Sequence, residues 1–158
     1  MILLGLGGNI DSALGGPPMQ TLIAALVELS KRHVNAVSTP YWWSSPPDPP
    51  SEQPWYTNSV VEIETELPPE QLLKVLLEVE VCFGRIRGEL NSPRPIDLDL
   101  LDYNSRITAN KEFPPILPHP RMHLRSFVLL PLAKIAPDWR HPILGLTAAE
   151  LISRLPPG

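Results

Sequence analysis

The segment Ile96-Asp97-Leu98-Asp99-Leu100 is the part of this sequence best suited to do chemistry. Side chains two apart on a strand share a face. Asp97 and Asp99 therefore project together, while Ile96, Leu98 and Leu100 turn to the core. The strand rise puts the two aspartate Cα atoms roughly 6–7 Å apart. Bare carboxylates at that spacing repel each other. A divalent cation between or beside them removes that cost. Hard oxygen ligands with no cysteine nearby suit magnesium or manganese. The plain alternative is a solvated strand face carrying two acids, which is the commoner meaning of an isolated D-x-D.

The neighbours change that balance. Arg85, Arg87 and Arg94 lie just before the pair. A guanidinium fork binds phosphate oxygens in bidentate fashion. Metal-bound aspartates beside arginines are the parts that phosphoryl transfer needs, because that chemistry depends on positioning and charge neutralisation. An ion-pair network in which the arginines merely neutralise the aspartates and Glu89 would use the same residues without a ligand. His119, held between Pro118 and Pro120, has little backbone freedom and suits a preset phosphate donor. A lone histidine is more often structural; His123 and Arg125 follow closely. Tyr41, Trp42, Trp43, Trp55, Tyr56 and Phe127 supply flat surfaces, and Asn58 an amide that reads a heterocycle edge from either side. Any one of these aromatics alone reads more simply as core. Gly7-Gly8-Asn9 is too short for a phosphate loop; it suits a tight turn or close approach to a flat ligand. The chain has neither a G-x-x-x-x-G-K-[ST] nor a G-x-G-x-x-G pattern.

These residues need elements to hold them. Ile2 to Gly7 reads as a buried strand. Pro17-Pro18 opens a helix in which Met19, Leu22, Ile23, Leu26 and Val27 recur at helical spacing. Val34 to Trp43 has strand composition. The stiff SSPPDPPSEQP stretch between Trp43 and Trp55 is either a lid or pocket wall, or a mere connector. Asn58 to Glu66 alternates as a strand with one wet face. A helix spans Glu70 to Phe83 and ends at Gly84. Pro95 to Tyr103 is the next strand. Leu124 to Ile135 reads as a helix broken by Pro131. A short helix from Thr147 to Leu155 is capped by Thr147 with Glu150 three residues on. This order predicts an α+β fold of the ferredoxin-like, split βαβ kind: an antiparallel sheet with helices on one face. All 158 residues are expected to form one domain.

Composition narrows the partners. A net charge of −4 argues against a protein that coats nucleic acid, yet six of the nine arginines fall between positions 85 and 125. That suits a focused site for a small polyanion. The single cysteine, Cys82, excludes an internal disulfide and a cysteine-based zinc site, and fits a reducing, cytoplasmic setting. The start MILLGLGGNI lacks a basic leader and reads as a first strand. No apolar stretch is long enough to span a membrane.

Taken in order, the fragments resemble the 6-hydroxymethyl-7,8-dihydropterin pyrophosphokinase family. The resemblance runs from about Leu3 to about Pro137. Its motifs are Gly7-Gly8-Asn9, Tyr41, Tyr56-Thr57-Asn58, Gly84-Arg85-x-Arg87, Pro93-Arg94-Pro95-Ile96-Asp97-Leu98-Asp99-Leu100, Pro118-His119-Pro120-Arg121-Met122-His123, Arg125, Phe127 and Ile135-Ala136-Pro137. It implies a monomeric α+β enzyme that transfers pyrophosphate from ATP to a reduced pterin, releasing AMP, in folate synthesis. Asp97 and Asp99 would bind two magnesium ions. Arg85 and Arg94 would stabilise the triphosphate, with His119, Arg125 and the acid Glu80 at the ATP site. Gly7, Tyr41, Tyr56, Asn58 and Phe127 fall at pterin positions, Tyr56 and Phe127 stacking on the ring. The stretch from Trp42 to Trp55 departs from the family's Y-x-T-x-P-x-G loop, being longer and richer in proline. The loop from Gly88 to Ser92 lacks a tryptophan that some members carry. Another two-metal phosphoryl enzyme, such as a nucleotidyltransferase, and a non-catalytic nucleotide- or pterin-binding module are the competing readings.

Overall fold

The structure, a computed structural model, describes residues 1–86 and 91–157. Arg87 and Glu89, both named above, lie outside the described residues. The chain forms a mixed α/β fold around an antiparallel sheet. Its central strand, β1 (Ile2–Gly8), is buried at every residue. It pairs antiparallel with β4 (Tyr56–Glu64) on one side and β5 (Asp97–Tyr103) on the other. Two short strands, β2 (Asn35–Ala36) and β3 (Trp43–Ser45), pair with the outer edge of β4. The single strand expected over Val34–Trp43 is thus two pieces with an irregular link. Pro40 lies in that link and cannot donate to a ladder.

A strand buried on both sides needs cover on both sides. Ile2, Leu4 and Leu6 pack with Leu22 and Leu29 of α1 (Pro18–Lys31) and with Leu72 and Leu76 of α2 (Pro69–Cys82). Leu3 points the other way. It packs with Leu129 and Leu132 of α3 (Ser126–Ile135) and Leu151 of α4 (Ala148–Ser153). The expectation of helices on one face is therefore corrected: helices cover both. The apolar run Ile2–Leu6, with no wet alternation, is the physical reason.

Both helices of the first layer begin at prolines, whose missing N–H costs nothing in a first turn. α2 stops at Gly84, whose φ of 90° suits a residue without Cβ. α3 runs through Pro131 without a break. The proline forfeits one bond, to the Phe127 carbonyl, and its buried ring leaves the helix continuous. α4 carries the expected capping box: Thr147 Oγ1 accepts from the Glu150 N–H at 3.2 Å.

The phase of β5 decides where its acids point. Leu6 pairs with Leu98 and Leu4 with Leu100, but Leu3 pairs with Asp102, so Leu101 is an extra residue in β5. Leu98 and Leu100 enter the α1/α2 core. Asp97 and Asp99 stand on the opposite face, on the side that α3 partly covers.

Candidate active site

Three neighbouring strands build the floor. Gly7 of β1 lies opposite Asp97 on one side and Asn58 on the other. Gly5 lies opposite Asp99 and Val60. The two glycines place no side chain between the acids and Asn58, so the middle of the floor is bare backbone. A Cβ on Gly7 would come within 3.2 Å of Asn58 Oδ1. A Cβ on Gly8 would meet the Pro95 carbonyl oxygen at 2.4 Å, which the backbone cannot accommodate. A glycine there lets the entry to β5 lie directly against the end of β1.

A cavity of about 230 Å³ opens over this floor. Gly7, Tyr56, Asn58, Phe127, Asp97 and Asp99 all line it, and Arg94 and Arg125 join them. Tyr41 does not. Its ring is exposed, with the Lys134 ammonium 5.3 Å from its centroid. Trp43, two residues on, is the aromatic paired with Asn58 across β3 and β4. Arg85, Glu80 and His119 are also absent from the lining, and each has a different place.

Glu80 is buried beneath the aspartates. One of its oxygens accepts from Arg85 Nη1 at 2.6 Å and from the Leu98 N–H at 2.8 Å. The same Arg85 nitrogen donates to Asp97 Oδ1 at 2.8 Å, and Arg94 reaches Asp97 Oδ2 at 3.4 Å. Burial raises the Glu80 carboxyl above its usual range, although Leu98 N–H and Arg85 oppose the shift. Glu80 thus anchors Arg85 and the start of β5 from below. The arginines engage Asp97 and leave Asp99. Among the described residues nothing donates to Asp99 or pairs with it. Its carboxyl is pushed up to about 7, first by burial and then by the neighbouring charge of Asp97, with Arg125 opposing.

His119 lies along the outer edge of β5, its backbone N–H donating to the Leu101 carbonyl at 2.9 Å. Its Nδ1 accepts from the Arg121 N–H at 3.1 Å. Burial, with Arg125 and Arg121 adding to it, lowers its pKa to about 4. A neutral ring that accepts at Nδ1 carries its proton on Nε2, as a donor.

Asn9, read from sequence only as part of a turn, ties the rim together. Its side-chain oxygen accepts from the Arg94 N–H at 2.9 Å, and its backbone N–H donates to the Arg94 carbonyl. Its Nδ2 donates to Gln53 Oε1 and the Pro54 carbonyl. Gln53 Nε2 in turn donates to the Asn91 carbonyl at 2.8 Å. The proline-rich segment and the arginine segment are thereby joined above the cavity. No spacing rule finds such a clasp. Arg121, Ser45 and Asp48 also line the cavity and were not singled out from spacing.

Among the described residues no group of three or more His, Cys, Asp or Glu side chains could hold a metal by itself. Two hard carboxylates facing a cavity, one without a protein partner, fit a magnesium ion that completes its shell with phosphate oxygens and water.

A family model described as 7,8-dihydro-6-hydroxymethylpterin-pyrophosphokinase matches residues 3–137. The chain belongs to that family. It is 41% identical over 153 residues to a 2-amino-4-hydroxy-6-hydroxymethyldihydropteridine pyrophosphokinase of Synechocystis, covering 97% of this chain and 75% of that protein. The corresponding enzyme of Methylorubrum extorquens is 37% identical over 155 residues, covering 98% of this chain and 92% of the relative. The folic acid synthesis protein FOL1 of Dictyostelium discoideum is 34% identical along the whole chain, which spans 23% of it. Membership makes the protein a pyrophosphokinase of folate synthesis.

Proposed function

We propose that this protein transfers the pyrophosphoryl group of ATP to the hydroxymethyl group of 6-hydroxymethyl-7,8-dihydropterin, releasing AMP. One observation carries the reading: Asp97 and Asp99 stand at one side of a ring-sized cavity whose opposite side holds Asn58 and whose floor is glycine. The flat substrate lies on the Gly5–Gly7 backbone. Tyr56 and Phe127 supply its stacking surfaces, and Asn58 reads its edge. The hydroxymethyl group reaches Asp97 and Asp99. Its oxygen attacks the β-phosphorus of ATP in line, the bond from that phosphorus to the oxygen bridging to the α-phosphate breaks, AMP departs and the hydroxyl proton leaves to water.

Asp97 and Asp99 hold the magnesium, two ions in the family resemblance. Bound there, the metal draws charge from the phosphate oxygens and makes the hydroxyl more acidic. Arg85 and Arg94 exchange their contacts with Asp97 for the triphosphate, where their forks match phosphate oxygens. His119 donates from Nε2 and Arg125 adds charge, while Glu80 keeps Arg85 in place. Tyr41 keeps a pterin role only if the segment around it rearranges on binding.

We read the fold as ferredoxin-like. With β2 and β3 counted as one interrupted edge strand, the order is edge, β4, β1, β5. Each helix of the first layer then crosses over one intervening strand, which is the split βαβ arrangement. Residues 1–158 act as a single, monomeric domain in the cytoplasm, on small substrates rather than nucleic acid or lipid. In support, no helix among the described residues is long and apolar enough to cross a membrane.

Product identity tests the reaction. Supplied with ATP, magnesium and the hydroxymethyl pterin, the protein yields AMP and the pterin diphosphate. Release of inorganic pyrophosphate instead would mean nucleotidyl transfer. Binding of both substrates with no product would mean a binding module.

A further inference from the structure

We propose that Asp48 is a specificity-determining residue, its carboxylate accepting hydrogen bonds from the 2-amino edge of the pterin ring. The proposal rests on the pyrophosphokinase reading and adds a residue to it.

The sheet sets the scale. β4 lies two strand spacings from β5, about 10 Å, since neighbouring strands are about 4.8 Å apart. A bicyclic ring with its hydroxymethyl group at Asp97 and Asp99 therefore lays its far end over Asn58 and the β3 side. The far end of a 2-amino-4-hydroxy pteridine carries the 2-amino group. Beside it, in the lactam form, is a ring N–H.

Acceptors for these donors stand at that end. Asn58 gives one amide hydrogen to Ser45 Oγ at 2.6 Å. Its Oδ1 lies on the Gly7 side, over the floor. Asp48, just beyond β3, lines the same cavity. Although Arg94, Arg121 and Arg125 also line it, Asp48 makes no ion pair or side-chain hydrogen bond among the described residues. Its charge is uncommitted. Asp48 is exposed in the ligand-free protein, and two adjacent N–H donors match its carboxylate in the way a guanidinium does.

Asp48 is also preset. It is flanked by Pro46, Pro47, Pro49 and Pro50, each with a fixed φ. The loop is joined to Asn9 and the arginine segment through Gln53 and Pro54. Little freedom is left to lose when the ligand arrives, so the contact is worth more than one on a floppy loop.

The test is a titration of the pterin onto wild type and Asp48→Asn, with a non-hydrolysable ATP analogue and magnesium present, read by ring fluorescence. It is repeated with an analogue lacking the 2-amino group. Loss of a charge-assisted pair is expected to weaken pterin binding by about tenfold or more. With the des-amino analogue, which keeps only the ring N–H, the loss caused by Asp48→Asn should be clearly smaller, and nucleotide affinity measured without pterin should shift by less than about twofold. Unchanged pterin affinity in Asp48→Asn would overturn the proposal, as would the same loss with the des-amino analogue. A wild type that binds the pterin but forms no AMP from ATP would defeat the pyrophosphokinase reading alone, because the titration still reports on Asp48.

Discussion

Asp99 is held in the folded protein at an electrostatic cost. Its carboxyl, ordinarily near 3.8, is pushed up to about 7 by burial and by Asp97, and nothing among the described residues donates to it. In the ligand-free protein, folding therefore favours its protonated form. The stabilising proton is fully held below about pH 4 and is lost as pH rises through 7. Above pH 7 the fold bears the whole charge. Asp99→Asn should accordingly raise the thermal midpoint of the metal-free protein at pH 8, with a smaller gain at pH 5, while abolishing turnover. Scanning calorimetry at the two pH values checks this. A lower midpoint at pH 8, or a larger gain at pH 5, would contradict the cost of holding an unpaired acid beside Asp97 at the cavity wall. Such a cost is expected where a protein keeps a site ready for a cation it has yet to bind.

The loops over the cavity act as one element because of Asn9. Removing its side chain takes away the acceptor of the Arg94 N–H and the donor to Gln53 and Pro54. Asn9→Ala should lower stability by about 1–3 kcal/mol, the cost of leaving a partly buried donor unpaired. It should also raise the KM for both substrates, since the arginine and proline segments each lose a tie, leaving only the Asn9 N–H to Arg94 and the Gln53 to Asn91 bonds. Urea denaturation and steady-state kinetics read the two effects. An unchanged KM would mean that the clasp is only structural.

At this scale the sequence was partly legible. The period-two rule found the shared face of Asp97 and Asp99, and proline marked the starts of α1 and α2, and Gly84 the end of α2, within a residue or two. It gave no sign of the clasp, whose partners are up to 85 residues apart. Tyr41 was chosen as the aromatic of a motif, but in the structure Trp43 holds the position opposite Asn58. Pro131 looked like a helix breaker because local propensity cannot register the packing that offsets one lost bond.

For the whole molecule, the consequence of a strand buried on both faces is that its second face needs the chain's end. Ala148 and Leu151 of α4 pack with Leu3, Val60 and Leu101, beyond the residues 3–137 that carry the family match. Leu3 and Leu101 belong to the two strands that carry Gly5, Gly7, Asp97 and Asp99. Deleting 147–158 should therefore lower the thermal midpoint by several degrees and reduce pterin affinity, although no residue removed touches the cavity. A midpoint within a degree of the intact chain would mean that this layer is dispensable. The expectation of a one-sided sheet overlooked this dependence, because it followed the order of elements and not the unbroken apolar run of β1.

The central claim is that Asp97 and Asp99 together hold the metal against the triphosphate. Asp97→Ala tests it most directly, measured beside wild type for AMP formation from ATP, magnesium and the hydroxymethyl pterin, with circular dichroism recorded on both proteins. The account predicts a native spectrum and a loss of turnover of at least about 10³-fold, the scale on which charge stabilisation of a transition state operates. A folded Asp97→Ala protein that forms AMP at near wild-type rate would contradict it.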